Sequence, residues 1–160
     1  MGDLKYPGSL HNHTDFSNFR LRDSINTVES LINYAVELGH EVVAITEHDT
    51  IASAVRAEKY YNKIKKDNPN FKVILGNEIY LVRNGLTNDN FNKDVDRYFH
   101  FILLAKDEIG HRQIREISTR AWMRSWMARR MRRVPTYYQD LIDIIGSIPY
   151  DCCSCRYLSS

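Results

Sequence analysis

Residues 41–50 read Glu41-Val-Val-Ala-Ile-Thr-Glu-His-Asp-Thr50. The run from Val42 to Ile45 is apolar at every position and mostly β-branched. A strand that is apolar on both faces is expected in a parallel sheet covered by helices. Just beyond it Glu47, His48 and Asp49 leave together. In folds built from strand–helix units, reactive residues gather at the carboxyl ends of the strands, so this stretch bears on fold and chemistry at once.

The flanking sequence supplies the helices. Upstream, Val28, Leu31, Ile32, Ala35 and Val36 recur at helical spacing. Asn26 and Glu29 stand in capping-box spacing before them, and Gly39 is a natural stop. Downstream, Ile51 to Lys66 reads as a second amphipathic helix, broken by Asp67-Asn-Pro-Asn70. Phe71 to Leu75 is a strand, Gly76 permits a tight turn, and Ile79 to Val82 is a second extended run. Residues 83–97 form an exposed polar loop, Tyr98 to Ala105 a strand, and Glu108 to about Arg130 a long helix. Pro135-Thr136 opens a last helix with Tyr137, Leu141, Ile144 and Ile145 on one face. Ser9 to His13 is a short strand running into a loop. The alternation predicts an α/β fold of βαβ units around a parallel sheet, open or closed into a barrel.

Four clusters of donors accompany these strands: His11 with His13, Glu47-His48, Glu78 and His100. In an extended chain His11 and His13 project to one side. Glu47 or Asp49 could orient the His48 imidazole, although an N-cap role for Asp49 is preferred. Glu78 could bridge two ions, which histidine cannot do. His100, between Phe99 and Phe101, must point to the interior or the mouth. His40 and His111 read as surface residues. Imidazoles and carboxylates brought from separate strand ends build multi-metal hydrolytic sites, and phosphoester hydrolysis is the favoured reaction class. Zn, Mn or Fe suits these mixed ligands; Mg alone does not.

At 160 residues, with 43% hydrophobic and 26% charged residues, the chain fits one domain with a real core. It has no long apolar run and no signal-peptide pattern, which predicts a cytoplasmic protein without a membrane partner. Tyr6 argues against myristoylation. A net charge of +2 does not imply nucleic acid, but Arg120, Arg124, Arg129, Arg130, Arg132 and Arg133 crowd one segment. Such a cluster can be a solvated helix face or a phosphate-binding surface. Cys152, Cys153 and Cys155 bunch near the end of the sequence and form no disulfide framework.

The stretches SLHNHTDFSN, AITEHDT, ILGNEIYL and YFHFILLAKDEIGHRQI resemble the polymerase-and-histidinol-phosphatase (PHP) superfamily. The last resembles in particular the N-terminal PHP domain of bacterial DNA polymerase III alpha subunits, and the likeness runs over about residues 8 to 145. It implies a distorted (β/α)7 barrel with a site for up to three divalent ions. Carried over by position, the ligands are His11, His13, Asp23, His48, Glu78 and His100, with Asp15 a rival to Asp23 and with His48 and Glu78 at the catalytic centre. The implied activity is metal-dependent phosphoester hydrolysis of the 3′–5′ exonuclease type on DNA, with Arg124, Arg129, Arg130, Arg132 and Arg133 toward the DNA backbone. The alternatives are a catalytically inactive structural or interaction domain of a replicative polymerase and a histidinol-phosphatase-like small-molecule phosphatase. A bacterial or bacteriophage polymerase gene fits the resemblance.

Two departures set further expectations. A family ligand, Cys or His, follows the helix ending near Ile145, where this chain reads SIPYDCCSCRYLSS; none of Cys152, Cys153 and Cys155 aligns cleanly. The change of character after Gly146 divides a PHP-like domain, 1–146, from an atypical tail, 147–160, and suggests a frameshift that sequencing of the gene would test. The family's final Asp-x-His motif is absent. The expectation is a barrel incomplete at the C-terminus, with fewer metal ligands and self-association through the unfinished side.

Overall fold

A computed structural model of the chain describes residues 7–19, 21–128 and 131–146, and residues 155–159 by their backbone. β2, Val42–Ile45, is an inner strand of the sheet. β1, Gly8–Ser9, pairs parallel to one side of it, and β3, Lys72–Val82, parallel to the other, with Val42 opposite Lys72 and Ile45 opposite Leu75. Further along, β3 takes β7, Pro135–Tyr137, as a second parallel neighbour. β4, Phe99–Ala105, lies antiparallel to β3, and β8, Cys155–Ser159, antiparallel to β4. The sheet order is β1-β2-β3-β4-β8, so among the described residues it is open. The α/β class is as expected, with a parallel half carrying β2 and an antiparallel half built on β4. The tail, in which no strand was expected, supplies β8 at the free edge of β4, whose backbone groups would otherwise lack partners.

α1, Val28–Glu37, buries Val28, Ile32 and Ala35 against Val43 and Ile45 of β2, with Ala57 and Phe71 completing this cluster. Ala44, of opposite pleat, packs with Ile102 and Leu104 on the other face. Both faces of β2 are therefore covered, which is why its sequence does not alternate. A second core joins Ile79, Leu81 and Leu103 to Ile114 and Ile117 of α3, Glu108–Met123, and to Ile144 and Ile145 of α4, Tyr138–Ile145. Each fully buried isoleucine contributes about 1.5–3 kcal/mol relative to exposure.

Several boundaries differ from expectation for local reasons. Thr27, not Asn26, caps α1: its hydroxyl accepts from the Ser30 amide while the Ser30 hydroxyl accepts from the Thr27 amide. α2 runs Ala54–Ile64 with Ser53 at its N-cap position, so Asp49 is not the N-cap residue of α2. Gly76 makes no turn: β3 passes through it unbroken, and a Cβ there would lie 2.5 Å from the Leu103 carbonyl oxygen. Glycine serves close approach of two strands, not backbone freedom. α3 ends at Met123, where Arg124 and Ser125 tighten the last turn by bonding to Ala121 and Trp122. The short hairpin β5, Trp126–Ala128, and β6, Met131–Arg133, follows. Pro135 opens a strand instead of a helix, at a first position where its missing N–H breaks little pairing. The loop 83–97 is polar as expected but anchored. Leu86 is fully buried, and the Asp96 carboxylate accepts from Arg83 Nε at 2.5 Å and from the Asn92 amide at 2.8 Å.

Candidate metal centre

The centre begins where β2 ends. His48 forms a single parallel bridge with Glu78: the Glu78 amide donates to the Glu47 carbonyl at 3.0 Å and the Asp49 amide to the Glu78 carbonyl at 2.8 Å. Asp49 is buried with φ +54, a left-handed conformation uncommon outside glycine that asparagine and aspartate enter more readily than other residues. It turns the chain immediately after the imidazole. The β3–β4 register sets Tyr80 opposite His100 and Glu78 opposite Ile102, so Glu78, Tyr80 and His100 share one face.

Asn12 brings in the third segment. Its amide donates to Thr46 Oγ1 at 3.0 Å, its carbonyl accepts from the Thr46 amide at 2.9 Å, and its side chain donates to the Ala44 carbonyl at 2.9 Å. With Asn12 turned to β2, the flanking His11 and His13 turn the other way, toward Glu78. Asn18 and Ser24 close the following loop through contacts of 2.6 and 3.2 Å, and Ser24 Oγ donates to the His13 carbonyl. This loop carries Asp23 to His48, with Oδ2 3.0 Å from Nε2. Asp15, the rival carboxylate, is exposed and contributes its charge to the surroundings of Arg56.

Glu78 is the hub. Its buried Oε2 lies 2.9 Å from His11 Nε2, 3.2 Å from His13 Nε2 and 3.1 Å from His48 Nδ1. Oε1 faces His100 Nδ1 at 2.5 Å. The ring nitrogens of His11 and His13 stand 3.0 Å apart, with room for at most one proton between them. His100 points to the mouth, its side chain 51% exposed. All six residues carried over from the resemblance therefore converge. Burial alone would raise the Glu78 pKa, but hydrogen bonds from His13, His48 and His11 hold it well below the usual carboxylate range. Burial works against a charged His48 too. Hydrogen bonds and charge from Glu78 and Asp23 outweigh it and raise the imidazole above its ordinary value.

Three imidazole nitrogens around one carboxylate oxygen are more than its two lone pairs can serve as hydrogen bonds. Cations placed among these atoms would satisfy them all, and the mixed nitrogen–oxygen set is of the kind divalent transition metals take. The donors of His11, His13 and Glu78 lie within 4.8 Å of one another, close enough to hold one ion.

The supporting residues beneath were not legible individually. Glu47, fully buried, orients no imidazole directly. It accepts from the Thr14 amide at 3.0 Å, the Thr14 hydroxyl at 2.5 Å and the Ser17 hydroxyl at 2.5 Å. Ser17 Oγ in turn accepts from the His48 amide at 3.0 Å and lies 3.3 Å from His13 Nδ1. A serine already donating to a carboxylate can only accept from that nitrogen, so in this contact His13 Nδ1–H is the donor, and its Nε2 is the atom turned to the centre. Sequence reading offered SLHNHTDFSN as a block but no reason to single out Asn12, Thr14 or Ser17. Tyr80, buried, adds its hydroxyl 3.3 Å from His48 Nδ1.

The other expected residues fall outside this cluster. His40 and His111 are half-buried, not surface residues, and His111 is held below its ordinary pKa by burial and by Arg115. Arg124 donates to both oxygens of the buried Asp140 at 2.5 and 2.6 Å and covers the Tyr137 ring, so its guanidinium is engaged internally. Arg120 pairs with Glu116. Arg132 and Arg133 have no carboxylate within ion-pair distance among the described residues. Arg129, Arg130, Cys152 and Cys153, and the side chain of Cys155, lie outside the described residues. Among the described residues no helix is long and apolar enough to cross a membrane.

Residues 9–153 match the PHP domain family. The chain is 40% identical over 143 residues to "Probable DNA polymerase YorL" of Bacillus subtilis strain 168, covering 87% of this chain and 11% of that protein. The same figures hold for the DNA-directed DNA polymerase of Bacillus phage SPbeta. It is 30% identical over 114 residues to the DNA polymerase III subunit alpha of Treponema pallidum, covering 71% of this chain and 9% of that one. The chain thus spans about a tenth of the length of these relatives.

Proposed function

This chain belongs to the PHP domain family, and from that premise we propose that it is a metal-dependent phosphoesterase domain acting on DNA ends in the 3′–5′ direction. The observation that carries the reading is the Glu78 hub: one buried carboxylate, three imidazole nitrogens within 3.2 Å of a single oxygen, and a fourth imidazole on the other. His11, His13, Asp23, His48, Glu78 and His100 would hold divalent ions of Zn, Mn or Fe. Ions held there would supply Lewis-acid polarisation of a phosphate and an activated water.

The chain's own residues do the positioning. Glu78, set on a continuous strand, would hold an ion together with His11 and His13. His48 is held on both ring nitrogens, by Asp23 at 3.0 Å and by Glu78 at 3.1 Å. His11, Asp23 and His100 have side chains 45%, 46% and 51% exposed, and they mark the open side from which a phosphodiester enters. The similarity to DNA polymerases supports DNA as the substrate class.

The test is direct. Protein loaded with Mn²⁺ or Zn²⁺, its metal content fixed by elemental analysis, is given 5′-labelled single-stranded DNA. Stepwise shortening from the 3′ end is expected, and Glu78→Gln should abolish it. A metal-loaded protein that leaves DNA intact would establish the inactive structural role, and one that prefers histidinol phosphate would move the function to small-molecule hydrolysis.

A further inference from the structure

Two aromatic surfaces adjoin the centre, each under an arginine from the same short strand. Tyr80, whose hydroxyl reaches His48, packs edge-on against His100 with centroids 4.5 Å apart. Its ring neighbours Tyr98 at 6.5 Å, which neighbours Phe91 at 5.8 Å, and the Arg133 guanidinium lies 5.0 Å over the Tyr98 ring. On the other side the indole N–H of Trp122 donates to the Asp49 carbonyl at 2.6 Å, directly after His48. Trp122 neighbours Phe19 at 5.6 Å, and Arg132 lies 5.9 Å over its ring. Phe19 is 51% exposed and Phe91 40%. Consecutive residues of a strand point to opposite faces, so β6 sends one cation to each surface. Neither arginine has a carboxylate partner among the described residues.

Tyr98, between Phe91 and Tyr80, is half-buried. Aromatic rings that are at least partly exposed beside guanidinium groups without a carboxylate partner are the combination that holds unpaired nucleotides: bases stack on the rings and phosphates meet the cations. A duplex keeps its bases stacked on one another and cannot use such rings. We propose that Tyr98 with Arg133, and the Phe19–Trp122 pair with Arg132, form two nucleotide subsites flanking the centre, so that the protein takes single-stranded nucleic acid and not duplex. The inference rests on the phosphoesterase reading for its substrate class, but binding tests it apart from hydrolysis.

Anisotropy of labelled dT12, measured with the full chain in EDTA, requires neither metal nor turnover. Single-stranded dT12 should bind at least tenfold tighter than a dT12·dA12 duplex. Tyr98→Leu or Phe19→Leu should each weaken binding by about tenfold, while Tyr98→Phe, which keeps the ring, should bind as the unaltered chain does. Arg132→Ala or Arg133→Ala should each lower the slope of log K against log salt by about 0.7. Melting temperatures establish that each variant is folded. Equal affinity for duplex, or folded leucine variants that bind undiminished, overturns the proposal. A chain that binds dT12 as stated yet takes up no metal overturns the phosphoesterase reading alone.

Discussion

Glu47 Oε2 and Ser17 Oγ meet at 2.5 Å across 30 residues of sequence, both fully buried. This contact sets the proton of His13 and anchors the backbone of His48, so two donors of the centre depend on a pair that would touch no metal. Ser17→Ala is expected to weaken Mn²⁺ or Zn²⁺ affinity by about 10–100-fold, the usual effect of losing such a supporting hydrogen bond. Isothermal titration reads it directly. Unchanged affinity in a folded variant would mean that His13 is held by packing alone.

Gly76 and the Leu103 carbonyl leave no room for a methyl group between β3 and β4. Gly76→Ala should cost about 1–3 kcal/mol by overpacking, read from denaturant melts. It should also weaken metal binding, because the same register places Glu78 and His100 together. A variant as stable as its parent would mean that the strands separate there without strain.

Arg124 and Arg132 belong to one basic segment but should part in experiment. Arg124→Ala leaves the buried Asp140 carboxylate without its bidentate partner. A loss of about 3 kcal/mol is expected, the low end for a buried pair because Arg124 is itself a quarter exposed. Arg132→Ala should leave the melting temperature unchanged.

Asp96 gives the anchored loop a defined response to acid. The hydrogen bond from Arg83, and then that from the Asn92 amide, hold its carboxyl below the usual range. A depressed carboxyl adds stability above its unfolded pKa, about 4, and that stability disappears as pH falls through the folded value. Asp96→Asn should therefore melt below the unaltered chain at pH 6, with the difference closing toward pH 2. A gap that stays constant over this range would remove the ion pair as its cause.

The pattern of Val42 to Ile45, apolar on both faces, determined a covered strand, and the histidines and glutamates at strand ends determined the donor set. Those signals are local, because side-chain alternation and helical spacing follow from backbone geometry alone. The sequence did not show that β4 runs antiparallel to β3, that Gly76 sits inside one long strand, or that Thr27 takes the cap in place of Asn26. Nor did it separate Asp23 from Asp15, or Arg124 from Arg132. Strand direction, closeness and pairing depend on partners tens of residues away, whose distances spacing does not encode. His11, His48, Glu78 and His100 could be named from the chain; that one oxygen of Glu78 faces three imidazoles from two segments, and its other oxygen the imidazole of a third, was decided only when register across the sheet brought them to the same point.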